Sequence, residues 1–189
     1  MTAPLYARKI GLKLPEAAWA GSTGRSRTRA KPPGRTGRSC AAAGSRPTPW
    51  TWAASVRAEG VVRFPYGQAA LALIAEQDIA AAAVRVLLDS GHAGQTYVLT
   101  GGESLTQIRQ AEAIGKAIGR PVRFEELSPE QFRQFADEHF PAPVVEDLLT
   151  ALASYVGQTA YMTADLEKII GRPATSYAQW AVQHADAYR

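Results

Sequence analysis

A tyrosine with a lysine four residues further on is a proton-transfer pair, because the ammonium lowers the phenol pKa. None of the seven tyrosines has that partner. His92, His139 and His184 are scattered and share no metal-ligand spacing with Cys40 or the carboxylates. His92 sits in a glycine-flanked turn and reads as exposed; His139 closes a helix, where the dipole favours a cation. Asp78 stands ahead of an apolar helix and reads as its N-cap rather than as an acid catalyst. Glu125-Glu126 and Glu146-Asp147 read as solvated faces, and the serine and cysteine side chains have no identifiable base. What remains is aromatic and amide: Trp50, Trp52, Phe64, Tyr66 and Gln68, which by themselves read as cover for a sheet edge.

The elements that position these residues are strands alternating with helices. Val61 to Pro65 reads as a short strand and Leu71 to Ile74 as a second, with Tyr66-Gly67-Gln68 turning the chain between them. A helix follows Asp78 and runs from Ile79 to Leu88. Thr96 to Leu99 is a strand bounded by Gly94 and Gly101-Gly102, and Leu105 to Ile118 is a helix capped by Ser104 or Thr106 and closed by Gly119. Val122 to Leu127 alternates as a half-buried strand does. Ser128-Pro129-Glu130-Gln131 is a capping box whose helix is expected to carry Phe132, Phe135 and Phe140 inward. Pro141 and Pro143 open a further helix through Leu148 and Tyr155. Thr163 caps a short one ending at Gly171, and Tyr177, Trp180, Ala181 and His184 stripe the last.

Charge divides the chain in two. Residues 1–49 hold ten Lys and Arg against the single acid Glu16, whereas 50–189 hold eleven basic and sixteen acidic residues. The leader is therefore +9 and the remainder −5. Gly21 to Pro49 is dense in Gly, Ser, Arg and Pro, so it cannot bury enough surface to offset its ordering entropy and is expected to be disordered. The division expected is a basic segment over 1–49 and a folded unit over 50–189. No apolar run is long enough for a signal or a membrane span, and Cys40 has no disulfide partner, which fits a cytoplasmic protein.

Several strings carry a resemblance: Gly60 to Gly67, the helix start Asp78-Ile79-Ala80, and the strand end Tyr97-Val98-Leu99-Thr100-Gly101. Ala117 to Val122, Gly171-Arg172-Pro173 and Ser176 to Trp180 extend it. Over roughly 52–189 the chain is similar to the C-terminal part of NmrA-like proteins, atypical short-chain dehydrogenase/reductases that include NAD(P)H azoreductase-type proteins. The resemblance implies an α/β fold: an incomplete, Rossmann-like parallel sheet with a helical substrate lobe. It implies NAD(P) as cofactor and a quinone- or azo-type small molecule as acceptor. It also places Phe64, Tyr66 and Gln68 beside the substrate cleft, with Trp50 and Trp52 just upstream expected to line the same opening.

In that family the phosphate-binding glycine turn lies far upstream of the Asp78 position. Gly21-Ser22-Thr23-Gly24 echoes it faintly, without a strand before it or a helix after it. The expectation is thus a truncated relative that does not bind the cofactor as it stands, residues up to about 49 arising from an out-of-frame start. The alternatives are a non-catalytic dinucleotide-sensing regulator and a nucleic-acid binder acting through the Arg/Gly-rich leader, for which charge is the sole signal. An unpaired sheet edge would favour self-association, and no membrane partner is expected.

Overall fold

The structure, a computed structural model, describes residues 39–42, 50–136 and 140–189. The remainder of the 1–49 leader, with the Gly21–Gly24 turn, lies outside the described residues, as does His139. Ser39–Ala42 forms strand β1, so the expected absence of regular structure in the leader does not hold at these four residues. Helix α1 spans Trp50–Glu59, and β2 follows at Val61–Phe64. Next come β3 at Ala70–Leu71, α2 at Glu76–Leu88, β4 at Thr96–Leu99 and β5 at Leu105–Thr106. Then α3 spans Gln107–Ile118, β6 Arg123–Glu126, α4 Pro129–Ala136 and α5 Ala142–Tyr155. The chain ends with α6 at Asp165–Ile170, α7 at Tyr177–Gln183 and a 3₁₀ turn at Ala185–Tyr188. None of the described helices is long and apolar enough to cross a membrane.

Parallel pairing links β1 to β4, and β2 to β6 in the register Val61–Arg123 through Phe64–Glu126. β3 and β5 pair antiparallel. Strands joined through helices, with parallel neighbours distant in sequence, give the α/β class. The apolar run at 71–74 is a strand only at its start. Ala72, Leu73, Ile74 and Ala75 are all buried, and the Gly101 amide donates to the Ala72 carbonyl at 3.0 Å.

Local signals decide most helix ends. Thr106 caps α3 by accepting from the Arg109 amide, and Gly119 ends it at φ 74°. Ser128 and Gln131 exchange both bonds of the capping box, at 2.8 and 3.2 Å. A second box, Ser176 with Gln179, opens α7; the same Ser-x-x-Gln spacing marks it. Two expected caps are corrected. Helix α2 begins at Glu76 with Ala75 as its cap residue, so Asp78 lies inside the first turn and does not cap it. Thr163 does not cap α6 either: Ala164 stands there, while the Thr163 hydroxyl donates to the Val98 carbonyl and its amide to Thr100 Oγ1 at 3.0 Å.

The main core joins α1, β2, α3, α7 and the terminal 3₁₀ turn around Val56, Val62, Ile114, Tyr177, Trp180 and Tyr188. Arg57 and Arg120 fasten the C-terminal turn to α1: Arg57 donates to the Ala187 carbonyl at 2.6 Å, and Arg120 to the carbonyls of Val56 at 2.8 Å and Tyr188 at 3.4 Å. A second cluster packs Ile74, Ala82, Leu99 and Leu166, and a third Phe132, Ala136, Val145 and Leu149. Phe135 and Phe140 point outward, 57% and 45% exposed, against expectation. The residue one turn from Phe132 is Ala136, and that is the one the helix buries.

Burial pushes the Tyr188 phenol up to about 12 from its ordinary value of 10.0. The unfolded chain therefore ionises this group first, so its stabilising contribution is full below pH 10 and is lost as pH rises towards 12. A shift of this size amounts to roughly 3 kcal/mol. Urea midpoints measured between pH 9 and 12 should fall accordingly, and Tyr188→Phe should flatten the fall; an equally steep fall in that variant would refute the assignment.

Candidate functional site: the carboxyl ends of β2 and β6

In a parallel pair, ligands collect beyond the carboxyl ends of the strands, where the chain leaves the sheet and side chains converge. For β2 and β6 those ends are Phe64 followed by Pro65-Tyr66-Gly67-Gln68, and Glu126 followed by Leu127. The Leu127 amide donates to the Phe64 carbonyl at 3.1 Å and holds the two exits side by side. Aromatic rings run through this place. Trp52 meets Phe64 edge-on with centroids 6.0 Å apart, and Phe64 meets Phe132 at 4.9 Å. Phe64, Tyr66 and Leu127 all pack on the Phe132 cluster.

The four residues picked from sequence therefore divide. Phe64 and Tyr66 are half-buried at the strand exit and Gln68 is exposed just beyond them. Trp52 is 3% exposed, so it backs Phe64 from within the core instead of facing an opening. Its indole Nε1 is buried with no hydrogen-bond partner among the described residues.

The turn that carries Tyr66 is held by groups that its local sequence does not announce. Gln107, 2% exposed at the start of α3, donates its amide nitrogen to the carbonyls of Pro65 and Tyr66 at 2.8 and 2.9 Å. The Gly67 amide donates to Glu126 Oε2 at 3.1 Å, so Glu126, exposed as expected, also fastens the turn. Its neighbour Glu125 pairs with Arg63 across the strands at 2.8 Å. A side chain on Gly67 would stand 2.6 Å from the Phe124 ring, so only glycine fits. Beside the turn, Glu146 lies on a solvated face as expected, and there Arg133 makes two bonds to it at 2.6 and 3.0 Å. They hold the Glu146 carboxyl below the usual range.

Elsewhere, the remaining candidates have structural partners. Asp78 is fully buried and accepts from Arg172 at 2.7 Å, from the Thr175 amide at 2.7 Å and from the Thr175 hydroxyl at 3.0 Å. His92 is half-buried and lies 2.7 Å from the Tyr97 hydroxyl. His184 stacks on Trp180 and stands 2.8 Å from Glu76.

A dinucleotide pyrophosphate needs a glycine turn between strand and helix, with amides free to face the charge. Thr100-Gly101-Gly102, between β4 and α3, has the composition for it. Protein fills the space at Gly101, where a Cβ would stand 2.1 Å from the Leu73 carbonyl oxygen, whereas Gly102 is exposed and a Cβ there would stand 3.3 Å from Ala174 Cβ. The first amides of α3 are also taken, Gln107 by the Ala69 carbonyl at 3.3 Å, Ile108 by Gly67 at 3.1 Å and Arg109 by Thr106. Ser128 and Ser176 close α4 and α7 in the same way, and α2 opens with Glu76 and Asp78, which repel phosphate. Neither the Gly101-Gly102 turn nor the first turns of α2, α3, α4 and α7 leave a set of free amides for a pyrophosphate.

Residues 49–183 match the model of the NmrA-like family. The chain is 36% identical over 139 residues to a (4-alkanoyl-5-oxo-2,5-dihydrofuran-3-yl)methyl phosphate reductase of Streptomyces griseus, covering 73% of this chain and 49% of that protein. It is 32% identical over 140 residues to an NAD(P)H azoreductase of Xenophilus azovorans, covering 72% and 49%. Among solved structures, the NADPH-dependent quinone oxidoreductase of Escherichia coli complexed with NADPH superposes with a TM-score of 0.60 at 25% identity. That match covers 75% of this chain and 50% of that one. The chain thus spans about half the length of the relatives it matches. With that family match over most of the residues that build both the sheet and the aromatic turn, the chain belongs to the NmrA-like family.

Proposed function

We propose that residues 50–189 form the acceptor side of an NAD(P)H-dependent reductase of quinone- or azo-type small molecules, and that this chain alone does not hold the dinucleotide. The observation that carries the first half is the meeting of Phe64, Tyr66 and Phe132 at the paired carboxyl ends of β2 and β6. Phe64, Tyr66 and Gln68 face the acceptor, and Trp52 sets the Phe64 ring from behind. The activities for which the azoreductase and the quinone oxidoreductase are named support the acceptor class. The space filled at Gly101 and the closed first turn of α3 support the second half. The dinucleotide, where a relative binds it, supplies the hydride.

The test is a fluorescence titration of the 189-residue chain with NADH and NADPH. No saturable binding is expected at millimolar cofactor. Saturable binding at micromolar cofactor would overturn the second half of the proposal, and such binding without turnover of any quinone would point to a dinucleotide-sensing regulator.

A further inference from the structure

We infer that Tyr66 is the residue that selects the acceptor in this cleft, through a hydroxyl donated to a carbonyl oxygen of a planar conjugated ligand, and that buried Gln107 is the residue that positions it. The inference rests on the reading of the β2–β6 exit as an acceptor wall. Tyr66 has φ 57°, and among the described residues it is the only non-glycine with positive φ. A bulky L-residue avoids this region because its Cβ crowds the following carbonyl. Gly67 beside it is required for a different reason, the Phe124 ring, and has no positive φ of its own.

The strained conformation is held from several sides. Gln107 binds the carbonyls before and after the Tyr66 α-carbon, the Ala69 amide donates to the Tyr66 carbonyl at 2.8 Å, and Glu126 and Ile108 fasten Gly67 on both its polar groups. Strain sustained by this many bonds marks a side chain kept where a ligand needs it. Filling the Phe132 cluster does not by itself require a phenol, since phenylalanine would fill the same space. The Tyr66 side chain is half-exposed, and among the described residues no group makes a hydrogen bond to its hydroxyl. A donor that makes no hydrogen bond among the described residues, at the exit of a parallel pair and within electrostatic reach of Arg133, suits a ligand that brings an acceptor oxygen conjugated to a flat ring, which the neighbouring Phe64 can face.

The probe is 2-methyl-1,4-naphthoquinone, titrated into the full chain by quenching of tryptophan fluorescence. Tyr66→Phe should raise its Kd about tenfold, the value of one hydrogen bond to a ligand, with the Tm unchanged. Gln107→Leu, which keeps bulk and removes the amide, should raise Kd similarly at a temperature where the variant is folded. Its Tm loss should be smaller in a Tyr66→Gly chain, because glycine holds the left-handed turn without the clamp. Binding that is indifferent to Tyr66→Phe, or a Gln107→Leu loss that is equal in both backgrounds, overturns the inference. Absence of naphthoquinone binding by the unsubstituted chain would overturn the cleft reading itself, and this inference with it.

Discussion

Replacing Asp78 by alanine should lower the folding free energy by about 3 kcal/mol, the scale set by stranding buried partners of a carboxylate. Asp78 is fully buried, and three donors converge on it from the loop after α6: the Arg172 guanidinium, the Thr175 amide and the Thr175 hydroxyl. Arg172 is 47% exposed and recovers water when its partner goes. The Thr175 groups do not, since that residue is 8% exposed, so most of the loss arises there. Asp78→Asn keeps the shape but turns an amide donor towards one of those donors, and should cost about 2 kcal/mol. Urea unfolding followed by tryptophan fluorescence checks both variants. A loss under about 1 kcal/mol for the alanine form would show that this network is not what ties the Gly171–Ser176 loop to α2.

Gly101→Ala should be as damaging, at about 3 kcal/mol or more, for a purely steric reason. The added methyl would stand 2.1 Å from the Leu73 carbonyl oxygen and 2.8 Å from its carbonyl carbon, and no rotamer change relieves a backbone contact. Either β4 or the buried 72–75 segment has to move, and both belong to packed cores. Gly102→Ala is the control one residue on. Its nearest neighbour is the Ala174 side chain at 3.3 Å, and the expected cost is about 1 kcal/mol or less. Equal stability of the two variants would mean that the Gly-Gly turn tolerates bulk and is open after all.

These two residues also show what sequence reading reaches. Thr106, Gly119, the Ser128 box and Gly171 act within a few positions of themselves, and the helices they end lie where the spacing places them. Asp78 has the composition of a cap, yet its partners are 94 and 97 residues away, and nothing local distinguishes those two fates. Helix α1 leaves no such local signal. Trp50–Glu59 follows a Pro- and Thr-rich stretch, and its buried Trp52, Ala53 and Val56 are too few to stand out as a stripe. The aromatic wall was legible through Phe64 and Tyr66, whereas Gln107 looked like an ordinary first-turn residue of an amphipathic helix. Its role appears only once α3 is laid against the Pro65–Gln68 turn, 41 and 42 residues earlier.

The pairing of β2 with β6 also bears on how this chain reaches its fold. Arg63 and Glu125 face each other across the pair at a separation of 62 residues, and everything between must be looped before the first rung forms. Closing such a loop costs roughly 4 kcal/mol of chain entropy before any contact rewards it. Helices α2 and α3 can form locally inside that loop, but the aromatic turn at Tyr66 depends on both strand exits being together. High contact order of this kind slows the rate-limiting step. The cleft should therefore be among the last features to appear on refolding, after the helices have reached their full content.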